Sequence, residues 1–269
     1  ESAFNSSGYT EEIGRYSYVS GRFFDGYLSE VNFVEGQALT SSDFGEIDGA
    51  YGHWKPKAYS GAYGSTGYYL DFSDNGTKHT VTANGNTNHS TDQSKIGATG
   101  IYFDGTGDSL TASSSDFGFG TGDFTVEYWN YNSSLHNYIT MASTTRSSTG
   151  FNCGTDAAGM ALWYTTGTGR LLESPAGTYT ANTWHHTAYV KSNGTIKVYV
   201  DGVERDSATD SINYDKTDLS IGALDNAGEY MTGYMDEIRI SNIARYTSSF
   251  TPSTSAFIKD SNTLIFDIY

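Results

Sequence analysis

The chain has 269 residues, among them 31 glycines, 22 tyrosines and 3 prolines, and a formal net charge of −16. Such an acidic surface repels phosphate backbones and anionic headgroups, and no apolar run approaches the roughly 20 residues of a membrane span, which argues against nucleic-acid partners and membrane insertion. One cysteine, Cys153, excludes an internal disulfide framework and argues against cysteine-ligated zinc; with no base beside it, it reads as a structural thiol.

Abundant glycine and aromatic residues with scarce proline favour strands joined by tight turns, because aromatic side chains pack on pleated faces and glycine supplies positive φ. Hydrophobic residues recur in short alternating runs, which argues against disorder. The chain starts at Glu1 with no signal-like segment and reads as a processed or excised portion of something longer.

In chain order, the first signal is an echo. Phe24-Asp25-Gly26-Tyr27-Leu28-Ser29-Glu30-Val31 returns as Met231-Thr232-Gly233-Tyr234-Met235-Asp236-Glu237-Ile238, an offset of 233 − 26 = 207. Tyr68-Tyr69-Leu70-Asp71-Phe72 returns as Leu264-Ile265-Phe266-Asp267-Ile268, an offset of 267 − 71 = 196. The first copy therefore carries 207 − 196 = 11 extra residues, placed in the loop 45–64. A period this long exceeds the roughly 20–50 residues of solenoid units. It fits tandem copies of a whole domain: a partial unit over 1–66, with a boundary near Tyr63–Tyr68, and a complete unit over 67–269.

Strands are predicted at Gly100–Phe103, Asp108–Thr111, Phe124–Tyr131, Tyr138–Met141, Gly159–Tyr164 and Arg170–Leu172. In the third, Phe124, Val126 and Tyr128 share one face, and Thr125, Glu127 and Trp129 the other. His185–Lys191 and Thr195–Val200 form the strongest hairpin, because Asn193-Gly194 between alternating strands calls for two residues at positive φ. Strands at Leu219–Gly222, Gly233–Ser241 and Thr263–Tyr269 complete the series, with helical turns only at Ser41–Phe44 and Ser241–Tyr246. Many short antiparallel strands at this spacing predict an all-β, two-sheet jelly-roll sandwich.

Five motifs then carry a resemblance. Asp71-Phe72-Ser73-Asp74-Asn75-Gly76, Tyr102-Phe103-Asp104-Gly105, Phe124–Trp129, Trp184-His185-His186 with Val198–Gly202, and Gly233–Ile240 fall in order along 69–269. Together they resemble the concanavalin A-like lectin/glucanase sandwich, in its laminin-G-like branch. Gly36–Gly45, Trp54–Lys57 and Arg245–Pro252 are similar to copies in tail-fibre and other virion proteins of bacteriophages. The resemblance implies a structural calcium site carried by Asp71, Asn75 and Asp236; the alternative is that Asp71 and Asp236 merely cap strand ends.

Catalysis finds little support in the residues. Glu46-Ile47-Asp48-Gly49-Ala50-Tyr51 is the nearest string to a glucanase Glu-x-Asp-x-x-Glu, but its third acid is absent and it falls in the inserted loop. Asp236 and Glu237 are strand neighbours and should point to opposite faces. The same holds for His185 and His186, one of which should pack while the other is solvated. No Gly-x-Ser-x-Gly elbow occurs. For glycan recognition, Trp129 and Trp184 match core landmarks, whereas Trp163-Tyr164 beside the Thr165–Gly169 turn is the expected exposed pair.

The expected function is a non-enzymatic virion protein of a bacteriophage, in a fibre or a decoration, whose lectin-like domain recognises host-surface glycans in an extracellular setting as a homo-oligomer. The alternative is a structural assembly subunit, in which the partial unit and the terminal strand pair with neighbouring chains or virion proteins.

Overall fold

The computed structural model describes residue 13 and residues 31–49, 52–64, 68–70, 79–136, 138–224 and 228–266. The chain divides into two units, Glu1–Ser73 and Asp74–Tyr269.

In the first unit, β1 (Val31–Phe33) pairs antiparallel with a later strand, and a single helical turn, α1 (Ser41–Phe44), leads into a small hairpin of β2 (Gly45–Ile47) and β3 (Trp54–Pro56). The turn forms where it was expected because the Asp43 carboxylate reaches back to accept from the Thr40 N–H at 2.7 Å and the Thr40 hydroxyl at 2.9 Å. The partner of β1 is β4 (Tyr68–Leu70), with Asn32 opposite Tyr69. Tyr68 thus belongs to the first unit, and the division falls seven residues beyond the expected 66/67, at Ser73/Asp74. Main-chain pairing with β1, which composition does not reveal, draws this strand back to the first unit.

The second unit opens with β5 (Val81–Asn84), β6 (Asn88–Ser90), β7 (Gly100–Asp104), β8 (Ser109–Ser113), β9 (Phe124–Asn132) and β10 (Ile139–Ser143). It continues with β11 (Asn152–Thr155), β12 (Ala161–Thr165), β13 (Gly169–Glu173), β14 (Trp184–Ser192) and β15 (Thr195–Val200). It closes with β16 (Val203–Thr209), β17 (Asp218–Ile221), β18 (Thr232–Ser241) and β19 (Thr263–Phe266). One sheet runs β13-β12-β11-β10-β17-β8-β5; the other runs β16-β15-β14-β9-β18-β7-β6, with β19 beside β18. All strand pairs in both sheets are antiparallel. This is the sandwich expected from the alternation.

The echo has a structural counterpart. Adding 207 to β1 gives 238–240, inside β18, and adding 196 to β4 gives 264–266, inside β19. The pair β1–β4 is therefore a second rendering of the antiparallel pair β18–β19. The terminal strand, though, pairs with β18 of its own chain.

Phe124, Val126 and Tyr128 face the core between the sheets, with Phe103, Leu110, Trp163, Tyr189 and Val198. At the β14–β15 turn Asn193 and Gly194 take φ of 50° and 74°, the mirror-image turn that matches strand twist. The segment 242–262 covers part of the outer face of the eight-stranded sheet, over β14, β15, β9 and β18. Tyr246 and Phe250 stack at 3.7 Å over Ala188, Val190 and Tyr199. Ser241–Tyr246 is not the expected helical turn. It is held open because Thr125 Oγ1 donates to the Ile243 carbonyl at 2.8 Å and accepts from the Arg245 N–H at 3.0 Å.

Candidate binding cleft

Side-chain alternation along β12 separates the expected pair. Trp163 is 0% exposed, stacked on Phe151 at 4.5 Å and on Phe124 at 5.5 Å, and its indole N–H donates to the Tyr214 hydroxyl at 3.0 Å. It belongs to the core and presents no surface to a ligand. The expectation of an exposed Trp163-Tyr164 pair holds for only one member, because successive residues of a strand take opposite faces. Tyr164 points outward.

Around Tyr164 the outer face of the seven-stranded sheet forms a cleft of about 200 Å³. Asn152 of β11 lies directly opposite Tyr164, and Arg170 of β13 flanks it on the other side. Leu162 of β12 lies opposite Gly154 of β11, and with Ile139 and Thr140 of β10 they line the floor. A side chain at Gly154 would run into the Ile139 carbonyl, so the floor needs glycine there. Tyr138, Arg146 and Glu229 close the walls from loops.

Polar contacts fix these groups. Glu229 Oε2 accepts from the Asn152 amide at 3.2 Å and the Thr140 hydroxyl at 3.3 Å, while its carbonyl accepts from the Thr140 N–H at 2.9 Å. Arg170 pairs with Glu173 at 2.9 Å and Asp156 at 3.3 Å. Partial burial pushes its guanidinium down, but Tyr138 and the two carboxylates hold it above the ordinary arginine range. Tyr138, half exposed at 50%, and Glu229 both hold positive φ, at 55° and 50°. Non-glycine residues in that region cluster at functional sites. A concave surface with two aromatic residues and several convergent polar groups is the arrangement of a small-molecule site.

The other residues singled out in the sequence go elsewhere. Asp71 and Asn75 lie outside the described residues. Asp236 Oδ2 accepts from the Lys95 and Ile96 N–H groups at 2.7 and 2.9 Å, anchoring that loop to β18; among the described residues its Oδ1 accepts nothing. Three or more His, Cys, Asp or Glu side chains gather nowhere among the described residues in a way that could hold a metal. Contrary to the alternation rule, Asp236 and Glu237 line one cleft of about 190 Å³. The ladder of β18 is irregular between Asp236 and Arg239, and Glu237 takes φ of 51°, so a bulge re-aims it. Its carboxylate accepts from the Phe257 N–H.

His185 and His186 do take opposite faces, but neither is solvated, at 8% and 0% exposure. His186 packs beside Trp129 and Glu127. His185 is fixed by Asp201 at 2.8 Å and by Thr180 at 3.2 Å. Glu46 and Asp48 share Lys55, at 3.1 and 3.7 Å.

The family is matched over residues 104–249, more than half the chain, by the concanavalin A-like lectin/glucanases superfamily, laminin-G type. The chain belongs to this superfamily. No curated protein matches it. Among solved structures it is similar to domain 4 of the GH43 extracellular arabinanase AbnA from Geobacillus stearothermophilus, in complex with arabinotriose, at 21% identity and a TM-score of 0.45. That alignment covers 60% of this chain and 81% of the other. It is also similar to the binding domain of botulinum neurotoxin DC, at 12% identity and a TM-score of 0.48, covering 66% of this chain and 45% of the other. A sialidase from Trypanosoma rangeli follows at 14% and 0.44, covering 60% and 27%. These likenesses concern the fold alone.

Within this lectin/glucanase sandwich, sequence reasoning missed Tyr138, Arg146, Asn152, Arg170 and Glu229, which no local pattern joins. It also missed an aromatic ladder on the outer face of the eight-stranded sheet. Trp184, Tyr131, Tyr234 and Tyr102 stand opposite one another across four strands, with centroids 5.6, 5.9 and 5.1 Å apart. The strand registers contained this signal; only the strand order exposes it.

Proposed function

We propose that the chain is a non-enzymatic carbohydrate-recognition module and that its glycan seats in the cleft walled by Tyr164. The observation that carries this reading is the cleft itself: two tyrosines, two arginines, an amide and a carboxylate converge on the outer face of a lectin-type sheet. Sugars are recognised by such mixtures of aromatic and hydrogen-bonding groups. Among the described residues lining it, Glu229 is the one carboxylate, whereas glycoside hydrolysis of the usual kind uses a facing pair.

The setting we propose is a bacteriophage virion, in a fibre or a decoration protein, with host-surface glycan as the extracellular target and a homo-oligomeric assembly. The resemblance of Gly36–Gly45 and Arg245–Pro252 to virion proteins supports it. A structural calcium ion at Asp71, Asn75 and Asp236 belongs to the same proposal; a lower Tm in EGTA than in calcium would support it, and identical values would remove it.

A glycan array probed with the wild type, Tyr164→Ala and Tyr131→Ala tests the site. Loss of signal in Tyr164→Ala alone is the expected result. Loss in Tyr131→Ala alone would move the site to the aromatic ladder. Turnover of any bound glycan would end the non-enzymatic reading.

A second reading has its own support in the β1–β4 pair, which repeats β18–β19, while the described residues of the first unit form two two-stranded sheets. Here the first unit joins neighbouring domains by strand pairing. Deleting residues 1–73 should then abolish assembly while leaving glycan binding intact.

A further inference from the structure

We propose that the cleft selects acidic sugars and that Arg146 is the residue that meets their anionic group; this rests on the glycan-binding reading above. The chain carries 15 lysines and arginines against 31 acids. Its field repels anions in general, so capture of one demands a locally placed, uncommitted cation.

The two arginines of the cleft differ in this respect. Arg170 is committed: Nη1 and Nη2 reach Glu173 and Asp156, and the guanidinium lies 5.8 Å from the Tyr138 ring centre. Its role is to hold that wall. Arg146 is exposed, and its guanidinium carbon stands 6.0 Å from the centre of the Tyr164 ring. Among the described residues no carboxylate pairs with it.

On the Asn152 side, Glu229 supplies the complementary group. Its Oε2 is occupied by Thr140 and Asn152, whereas among the described residues Oε1 accepts nothing. A carboxylate oxygen is acceptor-only, so it takes a sugar hydroxyl and repels an anion. The two groups together impose a polarity on whatever lies against Tyr164. The anionic substituent goes to Arg146, and a hydroxyl goes to Glu229. A neutral sugar would leave the guanidinium without a charged partner and lose a charge-assisted, bidentate hydrogen bond. The volume of about 200 Å³ falls below the range of drug-sized pockets, which suits one terminal sugar rather than a long chain. Tyr138 and Glu229, both held at positive φ, give the same rim two of the chain's unusual non-glycine conformations among the described residues.

The test uses matched glycans that differ in charge: oligogalacturonate and its methyl ester, sialyllactose and lactose, galactose 6-sulfate and galactose. Titration calorimetry on the full chain should give at least one acidic member a Kd roughly ten-fold or more below its neutral match. Arg146→Gln should erase that advantage without changing Tm, and Tyr164→Ala should weaken both members. A response in the carboxylate pairs or in the sulfate pair identifies which anion is taken. Equal affinity within every pair would overturn the acidic-sugar assignment while leaving glycan binding intact. An acidic preference that survives Arg146→Gln would overturn the role of Arg146. Silence from every glycan here and on the array would overturn both readings.

Discussion

Arg239 donates from Nε to Oε1 of Glu127 at 2.7 Å, and the two residues stand directly opposite each other on β18 and β9. Both are buried beneath the segment 242–262, where Tyr246 adds a hydroxyl donor to Oε2 at 2.8 Å and His186 lies 3.4 Å away. Burial alone would push the Glu127 carboxyl up, but His186 and Arg239 outweigh it and hold it below its ordinary value. The pair ties the cover to the sheet, because Arg239 also donates to the Ile258 carbonyl.

Breaking this pair on one side should be severe, since it strands the remaining charge in a dry site. Arg239→Met is expected to cost about 3–5 kcal/mol in urea unfolding. A loss below about 1 kcal/mol would mean that the cluster is solvated in solution.

Asp260 predicts an acid-sensitive latch. Hydrogen bonds from Arg245 bring its carboxyl from 3.8 down to about 2. Because the folded value is depressed, the contribution is complete above about 3.8 and disappears as pH falls towards 2. The group is largely exposed, so the effect is small and weakened by salt. Urea midpoints measured from pH 5 to pH 2 should fall less steeply in Arg245→Gln than in wild type. Parallel slopes would reject the latch.

Trp163 and Tyr164 should separate stability from binding. Trp163→Ala opens the core and is expected to cost about 3–5 kcal/mol. Tyr164→Ala, at a partly buried position on the outer face, should stay within about 1 kcal/mol of wild type and remove glycan binding. Equal destabilisation by the two would contradict their opposite orientations.

Cys153 should be inert in the native protein. Burial pushes its thiol up to about 12, so almost no thiolate exists at neutral pH. Iodoacetamide at pH 8 is expected to leave the folded protein unmodified and to alkylate it fully in guanidinium. Rapid labelling of the folded chain would place the thiol at the surface.

Much of the fold is written locally. Alternation in Phe124–Trp129 assigns the faces of β9 correctly, and Asn193-Gly194 specifies the β14–β15 turn. The strands that escaped notice, β2, β3, β5, β6, β11 and β16, are short or rich in polar and charged residues, as in Asn152-Cys153-Gly154-Thr155 and Val203–Thr209. They become strands because their neighbours offer unpaired backbone groups, a cause with no trace in their own composition.

The sequence by itself determined the all-β class, the two-sheet sandwich, the superfamily and the echo that joins β1–β4 to β18–β19. These rest on contacts between residues two apart or on turn geometry, which short segments encode. Only the tertiary structure decided that Trp163 is core while Tyr164 meets solvent, that a bulge swings Glu237 beside Asp236, and that Arg146 and Glu229 line one cleft with Asn152. Sheet order brings those groups together across 229 − 146 = 83 residues, and sheet order is fixed by how whole faces bury against each other.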